Sequence, residues 1–362
     1  MSRIISRREA LKLIAAGIAA ALSPTPHARA RYPAPSKSRP GANDAVWIWV
    51  GRAIQTVTFY DRPSTRSTRL AAHFRDRFFP ITREVRAPFS AHNDLWYETP
   101  LGYVHSAWVL PVRVYTPQPF IRDVGEWGFW GEVSHVFTDA RAEPDIESEP
   151  VYRFYGGAVY HVVDGFEDEY GAGWYKVFDE FPPTNPGHQW VLARDMRRIS
   201  RAEMSPIHPF AGEKRIEVDL DRQRLVCYEG ERVVFTALVA SGVDRARVST
   251  PTNRATPVGE RFVLLKQPSR HMSNRPYPGG PPMAGDVFDL PGIPWNIFFD
   301  PGGAAIHGTY WHNDFGIRRS HGCVNVSIAA ARWLYRWVYP IGGYEDGYIQ
   351  SDLQVGTPIH VF

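Results

Sequence analysis

Hydrophobic residues recur at every second position through most of the chain after residue 45. In the C-terminal part, Ile216, Val218 and Leu220 alternate with polar residues, and Leu225–Tyr228 and Val233–Val239 continue the pattern. A period of two residues is typical of half-buried β-strands. The 30 glycines and 31 prolines of the chain supply turns between such segments. The sequence therefore predicts a mainly β protein.

One stretch has helical periodicity instead. Apolar residues recur at three- and four-residue spacings over Ile328–Val338. Ser327 is a favourable N-cap, and Pro340 cannot continue a helix. We expect one clear helix here in the C-terminal region.

The region before residue 206 contains two segments that repeat each other. Trp96-Tyr97 is followed by a turn at Gly102 and a second strand, and Trp174-Tyr175 begins a similar pair 78 residues later (174 − 96). Each segment also has an earlier charged turn, which we place at Asp61–Ser64 in the first and Asp139–Ala142 in the second. The repetition predicts two similar β modules.

These modules resemble bacterial SH3-like domains, which are small β-barrels. The resemblance implies that the modules could bind glycan or another cell-wall polymer. Tryptophan and tyrosine at alternating strand positions are, however, more often core residues than ligand-binding ones. We expect the paired aromatics to be core.

The N-terminus has the composition of an export signal. Ser6–Lys12 resembles a twin-arginine motif, an apolar run follows over about Leu13–Leu22, and Ala28-Arg29-Ala30 resembles a cleavage site. The apolar run is shorter than the ~20 residues that span a bilayer. We expect an exported protein that works in the periplasm, the cell wall or outside the cell, with no membrane span in the mature chain.

This segment also explains the net charge. The chain carries +3 in total, and residues 1–30 contribute +4 (five Lys and Arg minus one Glu), so the remainder is near −1 (3 − 4). No basic region for nucleic acid is indicated.

The stretch with the most chemical information lies near the C-terminus. His307-Gly308 is followed by a second block, Ser320–Asn325, which contains Cys323. Cys323 lies 16 residues after His307 (323 − 307). A cysteine thiolate is a nucleophile, and a nearby imidazole can accept the thiol proton. The spacing is too long for one helix face and suits a strand, a loop and a returning strand.

The pattern resembles the catalytic signature of the L,D-transpeptidases, which cross-link bacterial cell walls. The resemblance covers residues 212–362 and implies a cysteine acyltransferase that acts on peptidoglycan stem peptides. It implies attack by Cys323 on a stem tetrapeptide, release of the terminal D-Ala and resolution of a thioester by an amine to give a 3→3 cross-link. It also implies a β-sandwich with one helix after the nucleophile.

The same resemblance assigns roles around the nucleophile. His307 is the expected base, oriented by the carbonyl of Gly308, and His321 is a supporting residue. Gly322 permits the backbone to place the Cys323 amide as an oxyanion donor. We expected the thiol to titrate well below the ordinary cysteine value of ~8.5.

Several neighbours are candidates for substrate binding. Members of the family carry Arg or Asn at the position of Asn325, and Arg319 could supply the positive charge that Asn lacks. The remaining candidates are Ser320, Tyr310 and Trp311. The proline-rich segment 267–285 is predicted to be a long irregular loop, and the resemblance implies that it is a flap over the cleft.

Other functions remain open at this stage. Water as acceptor would make the protein an L,D-carboxypeptidase. A further alternative is a wall-binding protein whose C-terminal domain is a scaffold without catalytic activity. We expect no cofactor and no metal, because the closely spaced cysteine pairs of structural zinc sites are absent from the sequence. The second cysteine, Cys227, lies in an alternating run and is predicted to be a buried thiol.

The predicted organisation follows from these segments. It comprises a signal peptide (1–30), a linker (31–44), two SH3-like modules (45–117 and 118–205) and a catalytic domain (206–362).

Overall fold

A computed structural model describes residues 48–90, 92–180, 188–243, 254–274, 288–352 and 355–362. Over these ranges the protein is mainly β, as predicted, with short helices. The predicted signal peptide and linker lie outside the described residues. No helix in the described ranges is long and apolar enough to cross a membrane.

A first β module is built around the first Trp-Tyr pair. Its strands form sheets of order β4-β1-β8 and β3-β2-β7-β6-β5. Trp96 and Tyr97 are 0% and 2% exposed, so they are core residues as expected. The strands are β1 (Ile48–Ala53), β2 (Val57–Tyr60), β3 (Arg69–His73), β4 (Phe78–Pro80), β5 (Arg83–Arg86), β6 (Leu95–Thr99), β7 (Gly102–His105) and β8 (Val109–Val114).

A second β module follows and forms one sheet of order β11-β10-β14-β13-β12-β9-β15. Trp174 and Tyr175 are 1% and 3% exposed and also belong to the core. The elements are β9 (Phe129–Val133), β10 (Phe137–Arg141), β11 (Pro150–Tyr155), β12 (Val159–Glu167), β13 (Gly173–Phe178), β14 (His188–Leu192), β15 (Met196–Arg198) and the short helix α1 (Arg201–Met204).

The two modules repeat the same hairpins. β2–β3 and β6–β7 of the first correspond in order to β10–β11 and β13–β14 of the second. The predicted charged turn at 139–142 was misplaced, because residues 139–141 lie within β10 and the turn follows over residues 142–148. Thr138 and Ala140 are buried, and this inward alternation keeps the segment in the strand. The domain boundaries and the SH3-like assignment stay predictions.

The C-terminal region contains two further five-stranded sheets, of order β18-β17-β16-β25-β19 and β23-β22-β21-β20-β24. Strand β25 pairs in parallel with β16, with Ile359 opposite Ile216. The elements are β16 (Lys214–Asp219), β17 (Arg224–Glu229), β18 (Arg232–Leu238), β19 (Gly259–Phe262), β20 (Leu265–Ser273), β21 (Asp289–Phe298), β22 (Ala305–Gly308), β23 (Val324–Val326), α2 (Ile328–Trp337), β24 (Ile349–Gln350) and β25 (Pro358–Val361).

The first residues of the predicted flap form part of a strand. Residues 267–273 belong to β20, which pairs with β21, and only residues 275–285 of the predicted flap lie outside the described residues. Pro268 suggested an irregular segment, because proline removes a ladder hydrogen bond. Its neighbours Gln267 and Ser269 nevertheless pair with β21, and the register shifts only later, between Arg270 and Met272.

Helix α2 begins at the predicted residue. The Ser327 hydroxyl accepts a hydrogen bond from the Ala330 amide at 3.2 Å. At the other end, buried Lys266 Nζ donates to the Tyr335 carbonyl at 3.1 Å, and Lys214 Nζ donates to the Trp337 carbonyl at 2.7 Å. Cations at a helix C-terminus satisfy carbonyls that lack an intrahelical partner. The helix that follows β23 is therefore fixed at both ends.

Candidate active site

The predicted strand, loop and return form a parallel pair. β22 and β23 are neighbours, with His307 opposite Asn325 and Ile306 opposite Val324. Cys323 directly precedes β23. Side chains two residues apart on a strand share a face, and so do paired residues on neighbouring strands. His307 and Asn325 therefore share a face, and Cys323 lies two residues before Asn325 on the adjacent segment.

His307 is held in one orientation by its own strand. Its side chain is buried, and Nδ1 donates to the Gly308 carbonyl at 3.0 Å. This contact places the proton on Nδ1 and leaves the Nε2 lone pair available as an acceptor. Burial lowers the pKa of His307 to about 4, with the Gly308 hydrogen bond opposing that effect. The imidazole is therefore neutral at physiological pH and can act as a base.

Cys323 is a free, partly exposed thiol, and Cys227 is free and fully buried as predicted. Burial raises the pKa of the Cys323 thiol to about 11, although a backbone hydrogen bond from Ala305 acts in the opposite direction. The expectation of a thiol that titrates well below 8.5 was wrong. Desolvation disfavours the charged forms of both cysteine and histidine, so the resting pair is a neutral thiol and a neutral imidazole.

The turn before Cys323 is organised by Ser320. Its hydroxyl donates to the Cys323 carbonyl and accepts a hydrogen bond from the Gly322 amide at 3.1 Å. Gly322 has a φ of +123°, a backbone conformation that disfavours any side chain. Ser320 is 7% exposed and acts on the backbone here, whereas the sequence had suggested a contact with substrate.

His321 is exposed and lies beside an arginine that the sequence analysis missed. The Arg254 guanidinium donates to His321 Nε2, and the Phe288 ring lies 5.2 Å from the imidazole centroid. Because a guanidinium can only donate, the His321 proton lies on Nδ1. The two residues are 67 positions apart (321 − 254), and no local pattern connects them.

Asn325 is buried and contacts a third histidine. Its Nδ2 lies 3.0 Å from Nε2 of His312, and both residues are less than 5% exposed. Burial, and then the charge of Arg319, lower the pKa of His312 to about 3, so its imidazole is neutral. Asn325 also exchanges backbone hydrogen bonds with Ala240, which ties β23 to the other sheet.

Comparison with known proteins identifies this region. Residues 213–361 match the YkuD family model, described as the L,D-transpeptidase catalytic domain. The C-terminal region has an L,D-transpeptidase fold. The resemblance seen in the sequence is confirmed for this part of the chain, and no curated protein sequence matches the chain.

Solved structures of L,D-transpeptidases are similar over parts of the chain. One from Xylanimonas cellulosilytica is 27% identical, with 42% of this chain and 61% of that chain covered and a TM-score of 0.28. A mutant from Enterococcus faecium is 23% identical, with 43% and 52% covered and a TM-score of 0.30. One from Mycobacterium smegmatis is 14% identical, with 70% and 90% covered and a TM-score of 0.31. The chain thus spans little more than half the length of the first two.

Three substrate-binding candidates of the L,D-transpeptidase domain lie in the loop after β22, and two are already engaged. Tyr310 is 3% exposed, and its hydroxyl donates to the Pro291 carbonyl at 2.6 Å, so it is a core residue. Arg319 donates to Asp314 from Nε at 3.1 Å, so its charge is already paired. Trp311 is partly exposed, and its ring lies 5.7 Å from the His307 ring.

A buried cluster supports the strands that lead to the domain's proline-rich segment. His271 Nδ1 lies 2.8 Å from Asp179, and Nε2 lies 2.7 Å from Asp289. Burial acts to lower the pKa of His271, but hydrogen bonds and charges from the two carboxylates outweigh it and raise the pKa to about 9. The cluster joins the second β module to β20 and β21, and nothing in the local sequence indicated it.

A cavity of about 280 Å³ lies where both modules meet the L,D-transpeptidase domain. Trp49, Val112, His312, Ile328 and Arg332 are among its lining residues, and Cys323 is not. The cavity is therefore lined by residues of the loop after β22 and does not include Cys323. Within the described ranges, no cluster of three or more His, Cys, Asp or Glu residues is arranged to hold a metal ion.

Proposed function

We propose that this protein is a peptidoglycan L,D-transpeptidase with Cys323 as its nucleophile and His307 as its base. The observation that carries the proposal is the geometry of β22 and β23. In this pairing Cys323 directly precedes the strand beside β22, which supports the proposal, and the Gly308 carbonyl fixes the His307 imidazole proton on Nδ1. A buried scaffold would have no use for that arrangement.

The first half-reaction forms a thioester. Cys323 Sγ attacks the carbonyl carbon between the third stem residue and the terminal D-Ala, while the thiol proton moves to His307 Nε2. The developing oxyanion accepts a hydrogen bond from the Cys323 amide, which the positive φ of Gly322 orients. His307 then returns the proton to the departing amine, and D-Ala leaves.

The second half-reaction resolves the thioester. An amine of another stem attacks the thioester carbon and loses its proton to His307 Nε2, which then protonates the departing thiolate. A D-amino acid as acceptor gives exchange instead, and water gives an L,D-carboxypeptidase. Because thiol and imidazole are both neutral at rest, proton transfer accompanies attack in the first step rather than preceding it.

The proposed substrate implies a site of action outside the cytoplasm. Stem peptides of a mature wall lie in the periplasm or the cell wall, and the twin-arginine-like N-terminus suits delivery of a protein that folds before export. Fusion of residues 1–30 to a reporter that is active only after twin-arginine export tests this part. Retention of the reporter in the cytoplasm would contradict it.

Stem peptides incubated with the full chain test the activity. Mass spectrometry should show loss of D-Ala from a tetrapeptide and, with a second stem present, a dimer joined through their third residues. Cys323→Ala should abolish both products, and Cys227→Ala is the matched control that keeps them. Hydrolysis without dimer would favour the carboxypeptidase, and no turnover by wild type would favour the wall-binding alternative.

A carbapenem gives a second test, because it presents a strained amide carbonyl to the thiol. Intact mass should increase by one adduct in wild type and in Cys227→Ala, and by none in Cys323→Ala. An adduct that persists without Cys323 would refute the assignment of the nucleophile.

A further inference from the structure

The connecting loop between β22 and β23, residues 309–323, is held by the first β module. The Asn313 side chain enters that module, where Nδ2 lies 3.1 Å from the Tyr97 hydroxyl and 3.2 Å from the Val109 carbonyl. The Ser106 carbonyl is 3.4 Å away. An amide group has two N–H donors, so these acceptors satisfy it fully.

The next residue of the connecting loop makes a hydrogen-bond contact with the same module. Asp314 lies 3.2 Å from His92 Nε2, and its other oxygen accepts from Arg319. Burial acts to raise the pKa of Asp314, but hydrogen bonds and charges from Arg319 and then His92 lower it, so the carboxylate is ionised. A Cβ placed on Gly316 would lie 2.9 Å from the His92 Cβ, which shows how closely the two segments approach.

A third contact holds the start of the connecting loop. Arg52, on strand β1, is 1% exposed and donates to the Tyr310 carbonyl. Its guanidinium is fixed by Asp76 at 2.8 Å. Residues from five separate segments of the first module thus contact the loop from residue 310 to residue 316.

The contacts lead directly to the nucleophile strand. His312 precedes Asn313 in the chain and touches Asn325, which lies two residues after Cys323 and opposite His307. Trp311, on the other side of His312, packs beside the His307 ring. A displacement of Asn313 would therefore move residues that contact both the nucleophile strand and the base.

We propose that the first β module is a structural part of the active site, in which His92 and Tyr97 are positioning residues for the connecting loop. The inference rests on the proposed function for its catalytic consequence. The module face formed by His92, Tyr97 and Val109 is occupied by the connecting loop and is not a free surface for wall polymer.

The test compares two histidine variants of the same module. His92→Ala removes the contact with Asp314, whereas His73→Ala removes a histidine that packs on Phe59 and Phe79 inside the module. The second variant reports any general loss of module stability. His92→Gln keeps a donor and should restore the function lost in His92→Ala.

We expect His92→Ala to lower kcat for D-Ala release about 10- to 100-fold with KM largely unchanged, because small displacements of reacting groups have effects of this size. The second readout is the pH profile of Cys323 alkylation by iodoacetamide, which needs no transpeptidase activity. The profile should shift in His92→Ala and should match wild type in His73→Ala and His92→Gln.

A folded His92→Ala protein with wild-type kcat and alkylation profile would overturn the proposal. So would equal changes in His92→Ala and His73→Ala, because the effect would then be general destabilisation. If His92→Ala does not fold, Asn313→Ala applies the same criteria from the loop side. Absence of D-Ala release by wild type would refute the proposed function, and the alkylation profiles would still decide this inference.

Discussion

At the scale of single residues, burial governs the chemistry of the proposed site. The same desolvation raises the pKa of Cys323 and lowers that of His307, so both groups are uncharged at neutral pH. A preformed thiolate–imidazolium pair would require the opposite shifts. The site is therefore built for a proton transfer that coincides with nucleophilic attack.

The first prediction concerns the titration of the thiol. Iodoacetamide alkylation of Cys323 should rise continuously with pH and should not level off below pH ~9, because only the thiolate reacts. Peptide mapping against pH measures it, and Cys227→Ala should give the same curve because buried Cys227 contributes nothing. A plateau below neutral pH would show that an ion pair exists after all.

The second prediction separates the two histidines of the motif. His307→Gln should slow acylation by ~10²–10⁴, the usual contribution of a positioned base. His321→Gln should cost less, because His321 is exposed and its Nε2 already accepts from Arg254. Wild-type acylation should also fall as pH drops through about 4, where His307 gains a proton.

Single-turnover acylation across this pH range measures both effects. A larger loss in His321→Gln than in His307→Gln would mean that the roles are exchanged.

The residues of the motif could be predicted from the sequence because they lie close together in it. Six residue types at a fixed spacing point to Cys323 and His307 as candidates, and in the structure the two lie on adjacent segments. The direction of their pKa shifts could not be predicted. It depends on how deeply distant parts of the chain bury them, and local spacing contains no such information.

At the scale of elements, the β20–β21 hairpin depends on a buried ionic cluster. His271 lies between Asp179 of the second module and Asp289 at the start of β21, and its side chain is 1% exposed. The hairpin is therefore attached to the second module by charge as well as by packing.

The third prediction follows from the raised pKa of His271. Its folded value of about 9 exceeds the ordinary ~6.5, so the stabilisation is complete below pH ~6.5 and is lost as pH rises through about 9. Wild type should lose of the order of 3 kcal/mol of unfolding free energy over this window, and His271→Gln should be less stable at pH 6 and nearly insensitive to the change.

Urea unfolding between pH 6 and pH 10 measures these free energies. His360→Gln is the control, because His360 is about half exposed and should leave the wild-type slope intact. A parallel decline in wild type and His271→Gln would contradict the prediction.

Elements with a clear period were predictable, and those with prolines were not. Ile216 and Val218 alternate with polar residues, and Ser327 caps helix α2 at the expected residue. Most of strand β20 was misjudged, because Pro268 and the prolines that follow it resemble a loop. Its place in a sheet is decided by pairing between segments, which single-sequence periodicity does not contain.

At the scale of the whole molecule, the buried arginine of an ion pair joins the first module to the rest. Arg52 is 1% exposed, contacts Asp76 and the Tyr310 carbonyl, and lies 4.1 Å from the centre of the Tyr155 ring. Burial lowers the pKa of Arg52, although Asp76 opposes this shift. The guanidinium links both modules to the connecting loop.

The fourth prediction is that Asp76→Ala will destabilise the protein by about 3–5 kcal/mol, because it leaves a buried charge without its counterion. The matched control is Glu98→Ala, which breaks the exposed pair with Arg83 in the same module and should cost no more than about 1 kcal/mol. Urea unfolding gives both values. Similar losses of unfolding free energy in the two variants would show that the buried pair stabilises the protein no more than the exposed pair does.

Contacts between distant parts of the chain could not be predicted from the sequence. His92 and Asp314 are 222 residues apart (314 − 92), and Asn313 resembled an ordinary loop residue. The tandem modules could be anticipated from their Trp-Tyr pairs, but their attachment to the loop depends on chain segments that no local pattern relates.

The parallel pairing of β16 with β25 also sets the order in which the molecule can fold. Ile216 on β16 pairs with Ile359 on β25, 143 residues later in the chain (359 − 216). This edge of β16 is therefore unpaired until β25 has been made. During synthesis on the ribosome, β16–β18 would therefore present an open strand edge while the intervening residues are made, and such edges invite pairing with other chains. A nascent chain halted before residue 358 should need a chaperone to stay soluble, whereas extension beyond that point closes the sheet and ends the requirement.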